Sequence, residues 1–307
     1  MNGILVIDKP AGMTSHDVVM ELRRLVGGAR VGHAGTLDPN ATGVLIGLVG
    51  RATKISRFLL SLDKEYLFTI RLGVETDTLD AWGKETNVCS TDGVGANEIL
   101  DAASRFRGRY QQIAPSLSAI KHQGTPLYKL ARRGLATPLK TRVVMLTSFE
   151  VTDIAMPLVT IRTTCSSGTY VRSLARDMGR HLGCGASATS IRRLRVGGFA
   201  LEGATPLADL VEGRVGPAEV MLTIERALEH LPRIHLKESS VAGIRAGRQP
   251  SAEDFAGSGS GSGSGAGSCS GADIAGSYVA LTDADGTIIG IAARSQESDR
   301  FRTERII

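Results

Sequence analysis

Aromatic side chains are scarce, 4% of the 307 residues, so the few beside polar motifs stand out. Cysteine is scarcer still. Cys89, Cys165, Cys184 and Cys269 are scattered and form neither a CxxC pair nor a Cys/His cluster; this excludes a disulfide frame and a zinc site and reads as reduced thiols. No apolar run reaches the roughly 18 to 20 residues of a membrane span. No basic segment followed by an apolar one opens the chain, so no secretory signal is read. The expectation is a soluble, cytoplasmic protein that does not engage a membrane.

What is present is the balance of a globular protein, 42% hydrophobic and 22% charged residues. The length exceeds what one hydrophobic core usually supports, which predicts two domains, the second small. A formal charge of +5 and a pI of about 9.2 favour an anionic partner. The positive charge clusters in residues 121–142, where Lys121, Lys129, Arg132, Arg133, Lys140 and Arg142 surround a predicted short helix over residues 126–133. Taken alone, such a run is a solvated helix face.

Residues 3–7 read as a buried strand stopped by Asp8, Lys9 and Pro10. With Ser15 as N-cap, Val18, Val19, Leu22, Leu25 and Val26 recur at helical spacing until Gly27 and Gly28. Residues 30–43 read as loop, followed by the apolar run 44–49. Residues 56–62 read as helix, 65–72 as an alternating strand, 98–106 as helix and 112–120 as extended chain. Residues 143–151 and 159–164 are β-branched runs, 170–181 a helix, and 191–196 a strand. After Leu231 the pattern changes to short strands and turns, interrupted by the flexible Gly/Ser coil 257–271. A hairpin is expected around residues 283–286. Helices interspersed with strand pairs predict an α+β domain with a mixed sheet.

The strongest motif is Gly32-His33-Ala34-Gly35-Thr36-Leu37-Asp38-Pro39-Asn40-Ala41-Thr42-Gly43. An isolated Asp-Pro is a turn former. Here glycines at both ends permit close backbone approach, and one braced loop offers two polar side chains, His33 and Asp38. This stretch resembles the GHxGxLDPxATGxL signature of the bacterial tRNA pseudouridine-55 synthases of the TruB type. The resemblance extends through Lys9-Pro10-Ala11-Gly12-Met13-Thr14-Ser15, Lys64-Glu65-Tyr66, Arg71-Leu72-Gly73, Thr76-Asp77-Thr78-Leu79-Asp80 and Pro115-Ser116-Leu117-Ser118-Ala119. It continues through Tyr128, Ala131 and Arg132, then residues 165–174, and Leu194-Arg195-Val196. It fails only at the Gly/Ser insert and around residues 87–95.

The resemblance implies a pseudouridine-synthase catalytic domain, residues 1–230, with a mixed, mostly antiparallel sheet. A small β-rich, PUA-like RNA-binding domain, residues 231–307, would follow. It implies Asp38 as the catalytic carboxylate, Arg172 as its cationic partner, and Tyr66 against the target base. On their own, a Tyr in an alternating strand reads as half-buried core and an Arg after a Tyr on a helix as a surface residue. His33 is implied in base extrusion, with a loop-stabilising hydrogen bond as its other reading. Lys9, Tyr170 and Leu194 match pocket-lining positions, or equally support the loop. Residues 121–142 match the insertion that grips the T-loop, with Lys129, Arg132 and Arg133 as phosphate contacts.

The activity so implied is isomerisation of uridine 55 in tRNA by a monomer without cofactor or metal. A tRNA-folding factor with incidental catalysis and an H/ACA-guided rRNA pseudouridylase are the alternatives. The intact catalytic positions favour an enzyme, and a short chain without long basic tails favours the stand-alone type.

Overall fold

The computed structural model describes residues 1–115, 121–122, 125–126, 141–256, 278–294 and 301–307. Of the helix predicted over 126–133, Pro126 instead pairs with Lys121 in a two-residue strand, and residues 127–133, with the basic side chains Lys129, Arg132 and Arg133, and the Gly/Ser coil lie outside the described residues. The chain divides into two compact units, Met1–Leu62 with Arg195–Ile307, and Asp63–Leu194.

The first unit opens with β1 (Gly3–Lys9), α1 (Ser15–Leu25), β2 (Val31–Ala34), β3 (Thr42–Val49) and α2 (Ser56–Leu60). β1 and β3 pair antiparallel with Lys9 opposite Gly43, and β2 pairs antiparallel with β3. Both central strands are buried along nearly their whole length, which is why they read as continuous apolar runs without alternation. Residues 30–43 are therefore not all loop: Val31–Ala34 is a strand, and His33 lies on it opposite Gly47. Only one apolar residue, Val31, precedes Gly32 and His33 there, too few for a strand pattern to show.

The N-cap of α1 is Thr14, not Ser15. The Thr14 hydroxyl accepts from the Asp17 N–H at 3.1 Å, and the Asp17 carboxylate accepts from the Thr14 N–H at 2.8 Å. This reciprocal box needs an acidic or amide side chain three residues after the cap, a spacing that Asp17 provides for Thr14. Ser15 is thereby released for another task. The helix ends as expected at Gly27 and Gly28, whose N–H groups return to Arg24 and Arg23 carbonyls.

The second unit holds β4 (Lys64–Leu72), a small hairpin of β5 (Val74–Thr76) and β6 (Glu85–Val88), α3 (Ala96–Ser104), β7 (Gly108–Ile113), β8 (Thr141–Ala155), β9 (Leu158–Cys165), α4 (Val171–His181) and β10 (Ala186–Val196). Its sheet runs β10-β4-β9-β8-β7, and the pairs β4/β9, β9/β8 and β8/β7 are antiparallel. β4 buries Lys64, Tyr66, Phe68, Ile70 and Leu72 on one face, the period-two alternation that its sequence displays. Of the extended segment expected over 112–120, only Gln112 and Ile113 lie in a strand, as the end of β7, and residues 116–120 lie outside the described residues.

The first unit resumes with β11 (Thr205–Pro206), parallel to β1, then α5 (Leu207–Val211), α6 (Ile224–Ala227), β12 (Arg233–His235), α7 (Glu238–Arg245), β13 (Tyr278–Thr282), β14 (Ile288–Arg294) and β15 (Phe301–Ile306). The last four strands form a separate sheet in that order. One face, with Ala280, Ile288 and Ile291, joins the core of Ile4, Ile46, Leu48, Phe58 and Leu228. The other, with Val279, Leu281 and Ile289, packs with Leu236 and Ile244. Burial on both faces accounts for the apolar runs of β13 and β14. Their turn is the expected Asp-Gly turn: Asp283 Oδ1 accepts from the Thr287 N–H at 2.9 Å, and Gly286 adopts a positive φ of 81°.

The cap assignment makes a quantitative expectation. Thr14→Ala should destabilise the protein by about 1 kcal/mol, the usual worth of an N-cap, read as a lower denaturant midpoint with unchanged slope. An unaltered midpoint would remove Thr14 from that role.

Candidate functional site

Asp38 lies in the seven-residue connection between β2 and β3, and the residues on either side of it are anchored separately. Leu37 is buried, and its peptide groups are both satisfied by one side chain: the Ser15 hydroxyl accepts from the Leu37 N–H at 2.8 Å and donates to the Leu37 carbonyl at 3.1 Å. On the far side, the Lys9 ammonium donates to the Pro39 carbonyl at 2.9 Å. The same ammonium donates to Pro10 and Met13 carbonyls at 2.7 Å each. Lys9 is wholly buried, so its charge is stabilised by three carbonyl dipoles rather than by water. Within the loop the Ala41 N–H returns to the Asp38 carbonyl at 3.1 Å. Gly35 and Gly43, at φ 87° and 98°, supply the left-handed positions that bracket the loop. Asp38 itself is half-buried.

Lys9, His33 and Asp38 all belong to the first unit. Tyr66, Tyr170, Arg172 and Leu194 belong to the second. There Tyr66 is buried on β4 opposite Thr163 of β9. Arg172, 6% exposed, projects from the first turn of α4 and donates to the Thr78 carbonyl at 2.8 Å. Its guanidinium also lies 3.8 Å from the Asp80 carboxylate. Tyr170 occupies the N-cap position of α4, where its own side chain makes no cap bond. The buried Gln112 amide instead clamps the Tyr170 backbone, accepting from its N–H at 2.8 Å and donating to its carbonyl at 3.0 Å. Leu194 is half-buried near the end of β10.

Three supporting residues were missed by reading the sequence: Ser15, Asp80 and Gln112. Asp80 lies in the Thr-Asp-Thr-Leu-Asp motif, which marked the segment without marking its partner 92 positions away. Ser15 and Gln112 act on backbone far along the chain, and no local pattern encodes that.

Below Tyr66 on the same face of β4 sits Lys64, directly across from Cys165. Burial, and after it the charge of Arg193, pull the Lys64 ammonium from 10.5 down to about 8. Burial pushes the Cys165 thiol up to about 12, which leaves it unreactive. Cys89, Cys165 and Cys184 are all free thiols. Among the described residues no three His, Cys, Asp or Glu side chains are grouped to hold a metal ion, and no helix is long and apolar enough to cross a membrane.

A lysine whose folded pKa is depressed destabilises the fold fully below that pKa, and the penalty fades as the pH rises from about 8 toward 10.5. Lys64→Met removes this titration. Its stability relative to the parent should therefore fall by roughly 2 kcal/mol between pH 7.5 and 9.5, measured by denaturant unfolding at each pH. A difference independent of pH would show that Lys64 is not held with a depressed pKa.

Comparison with known proteins places this geometry in context. The model of the TruB family pseudouridylate synthase N-terminal domain matches residues 23–171. The tRNA pseudouridine synthase B of Geobacter sulfurreducens is 43% identical over 256 residues, which cover 83% of this chain and 84% of that one. The protein of the same name from Syntrophotalea carbinolica is 40% identical over 258 residues, 83% and 84% of the two chains. Among solved structures, an H/ACA RNP bound to a substrate RNA containing 2′-deoxyuridine matches with a TM-score of 0.71 and 25% identity, over 99% of this chain and 84% of that one. An archaeal box H/ACA sRNP complex matches with a TM-score of 0.71 and 24% identity, over 99% and 86%, and speaks to the fold alone. The α+β fold with a small C-terminal sheet is thus that of the pseudouridine synthases, and at this identity and coverage the chain belongs to the TruB family of pseudouridylate synthases.

Proposed function

We propose that this pseudouridine synthase acts as a cytoplasmic monomer on tRNA and isomerises the uridine at position 55 of the T-loop. What carries the reading is the set of relatives named tRNA pseudouridine synthase B, 40 to 43% identical over about four fifths of the chain. The H/ACA proteins are more distant, at 24 to 25% identity, which favours tRNA over a guided RNA as substrate.

The net reaction breaks the C1′–N1 bond, joins C1′ to C5, releases the C5 proton and places a proton on N1. Atoms and electrons are conserved, so a residue that stabilises the separated sugar and base is what the chemistry requires. Asp38 supplies that group as a carboxylate nucleophile, and Arg172 serves as its cationic partner. Tyr66 faces the uracil and assists loss of its C5 proton. His33, on β2, serves base extrusion, while Tyr170 and Leu194 line the nucleotide's surroundings. Lys9 contributes by holding Pro39, and with it the Asp38 loop, in place.

Extruding a stacked base costs a few kcal/mol. Phosphate contacts from Lys129, Arg132 and Arg133, within the insertion 121–142, and from a PUA-like RNA-binding part, residues 231–307, offset that cost. Residues 1–230 form the catalytic part in this reading.

Asp38→Asn should bind a T-arm stem-loop with nearly unchanged affinity and form no pseudouridine, mapped by chemical sequencing of the RNA. Turnover by Asp38→Asn would remove the carboxylate from its role, and modification at a uridine other than 55 would correct the position.

A further inference from the structure

The loop joining β5 to β6 is held more tightly than its length requires. The Thr76 hydroxyl donates to the Asp80 carbonyl at 2.7 Å, and the Thr78 hydroxyl donates to the Asp80 carboxylate at 2.6 Å. The Ala81 N–H reaches the Ala188 carbonyl at 2.8 Å, and the Lys84 N–H reaches the Asp77 carboxylate at 2.9 Å. Gly83 packs so closely that a Cβ there would sit 2.2 Å from the Thr78 hydroxyl oxygen. Leu79 is held at φ 65°, the only positive-φ residue other than glycine among the described residues. Such a conformation persists where the surroundings over-determine it, and it is concentrated at functional segments.

This rigid frame carries Trp82, the single tryptophan of the chain, with 55% of its surface exposed. It is the only aromatic among the large exposed apolar side chains of the described residues. Its backbone N–H donates at 3.2 Å to Asp80, the same carboxylate that lies 3.8 Å from Arg172. The backbone that carries the indole is therefore fixed two residues from Asp80, the carboxylate beside Arg172. Leaving an indole in water on a loop otherwise so fully bonded forgoes its large hydrophobic gain. An aromatic face used for binding is the arrangement that accounts for it.

We propose that Trp82 is a stacking platform for an unpaired nucleobase of the RNA substrate, one that neighbours the reacting uridine. The local charge favours the base over the backbone: Asp77, Asp80 and Glu85 flank the indole in sequence against Lys84 alone, and the buried Arg172 guanidinium is engaged by the Thr78 carbonyl beside Asp80, which disfavours phosphate. Extrusion of a base leaves its neighbours without a stacking partner. An indole replaces that partner for any base, since every base has a π-face. The inference rests on the RNA-modifying function proposed above and adds a contact to it.

Because the chain has one tryptophan, intrinsic fluorescence reports on this residue alone. Titrating the full-length protein with a T-arm stem-loop RNA should quench indole emission along the same curve as binding measured by filter retention. Trp82→Ala should raise KM for that RNA about tenfold, within the range of lost base–aromatic stacking, and leave kcat nearly unchanged. Trp82→Phe should restore KM, which a purely structural role for the indole would not explain. Unquenched emission at saturating RNA, or a Trp82→Ala variant with parental KM, overturns the proposal. Emission that changes with protein concentration in the absence of RNA overturns it too, because a second copy of the chain would then cover the indole. Parental turnover in the same assay separates the two claims. No pseudouridine from the parent protein overturns the functional reading and this inference together, whereas normal parental turnover with a silent Trp82 overturns this inference alone.

Discussion

The burial of one ammonium group organises the first unit. Lys9 sits at the end of β1 with no exposure, and a charge so placed is tolerable only if polar partners replace its water. The carbonyls of Pro10, Met13 and Pro39 do so. Two of them belong to the turn leading into α1 and the third to the Asp38 loop, so satisfying the charge fixes where the loop lies against the strand. Ser15 completes the arrangement from the first turn of α1 by holding both peptide groups of Leu37. Asp38 is thereby held through its two neighbours, while its own side chain remains half-buried. A carboxylate proposed for catalysis needs positional accuracy of this kind, because small displacements cost large factors in rate.

A comparable arrangement governs the second unit. Arg172 is buried and bonded to Thr78 beside Asp80, and the loop that carries these two is itself closed by threonine hydroxyls and a strained Leu79. Gln112 sets the start of α4 by binding the Tyr170 peptide. In both units a buried cation or amide fixes backbone distant in sequence, and the residues proposed for chemistry are mounted on that backbone.

Much of this was legible in the amino-acid order, and the exceptions have physical causes. The Asp38 motif, the helices α1 and α4, and β4 declared themselves through glycine placement and clear periodicity. β2 did not, because glycine and histidine occupy the middle of a four-residue strand. β6 is exposed at every position, so it has no alternation to display. Thr14 and Ser15 are both good cap formers, and only the position of Asp17 decides between them. The tasks of Ser15, Gln112 and Asp80 depend on partners 22, 58 and 92 residues away, which become neighbours only through the fold.

The claim that the Asp38 loop is positioned by its anchored neighbours is tested most directly by the single-turnover rate of pseudouridine formation in Ser15→Ala, measured with saturating T-arm RNA alongside the Kd of that RNA. Loss of the hydroxyl leaves the Leu37 peptide groups without their partner and lets the loop shift. The account predicts a rate reduced by about tenfold or more with Kd nearly unchanged. A parental rate in a folded variant would contradict it.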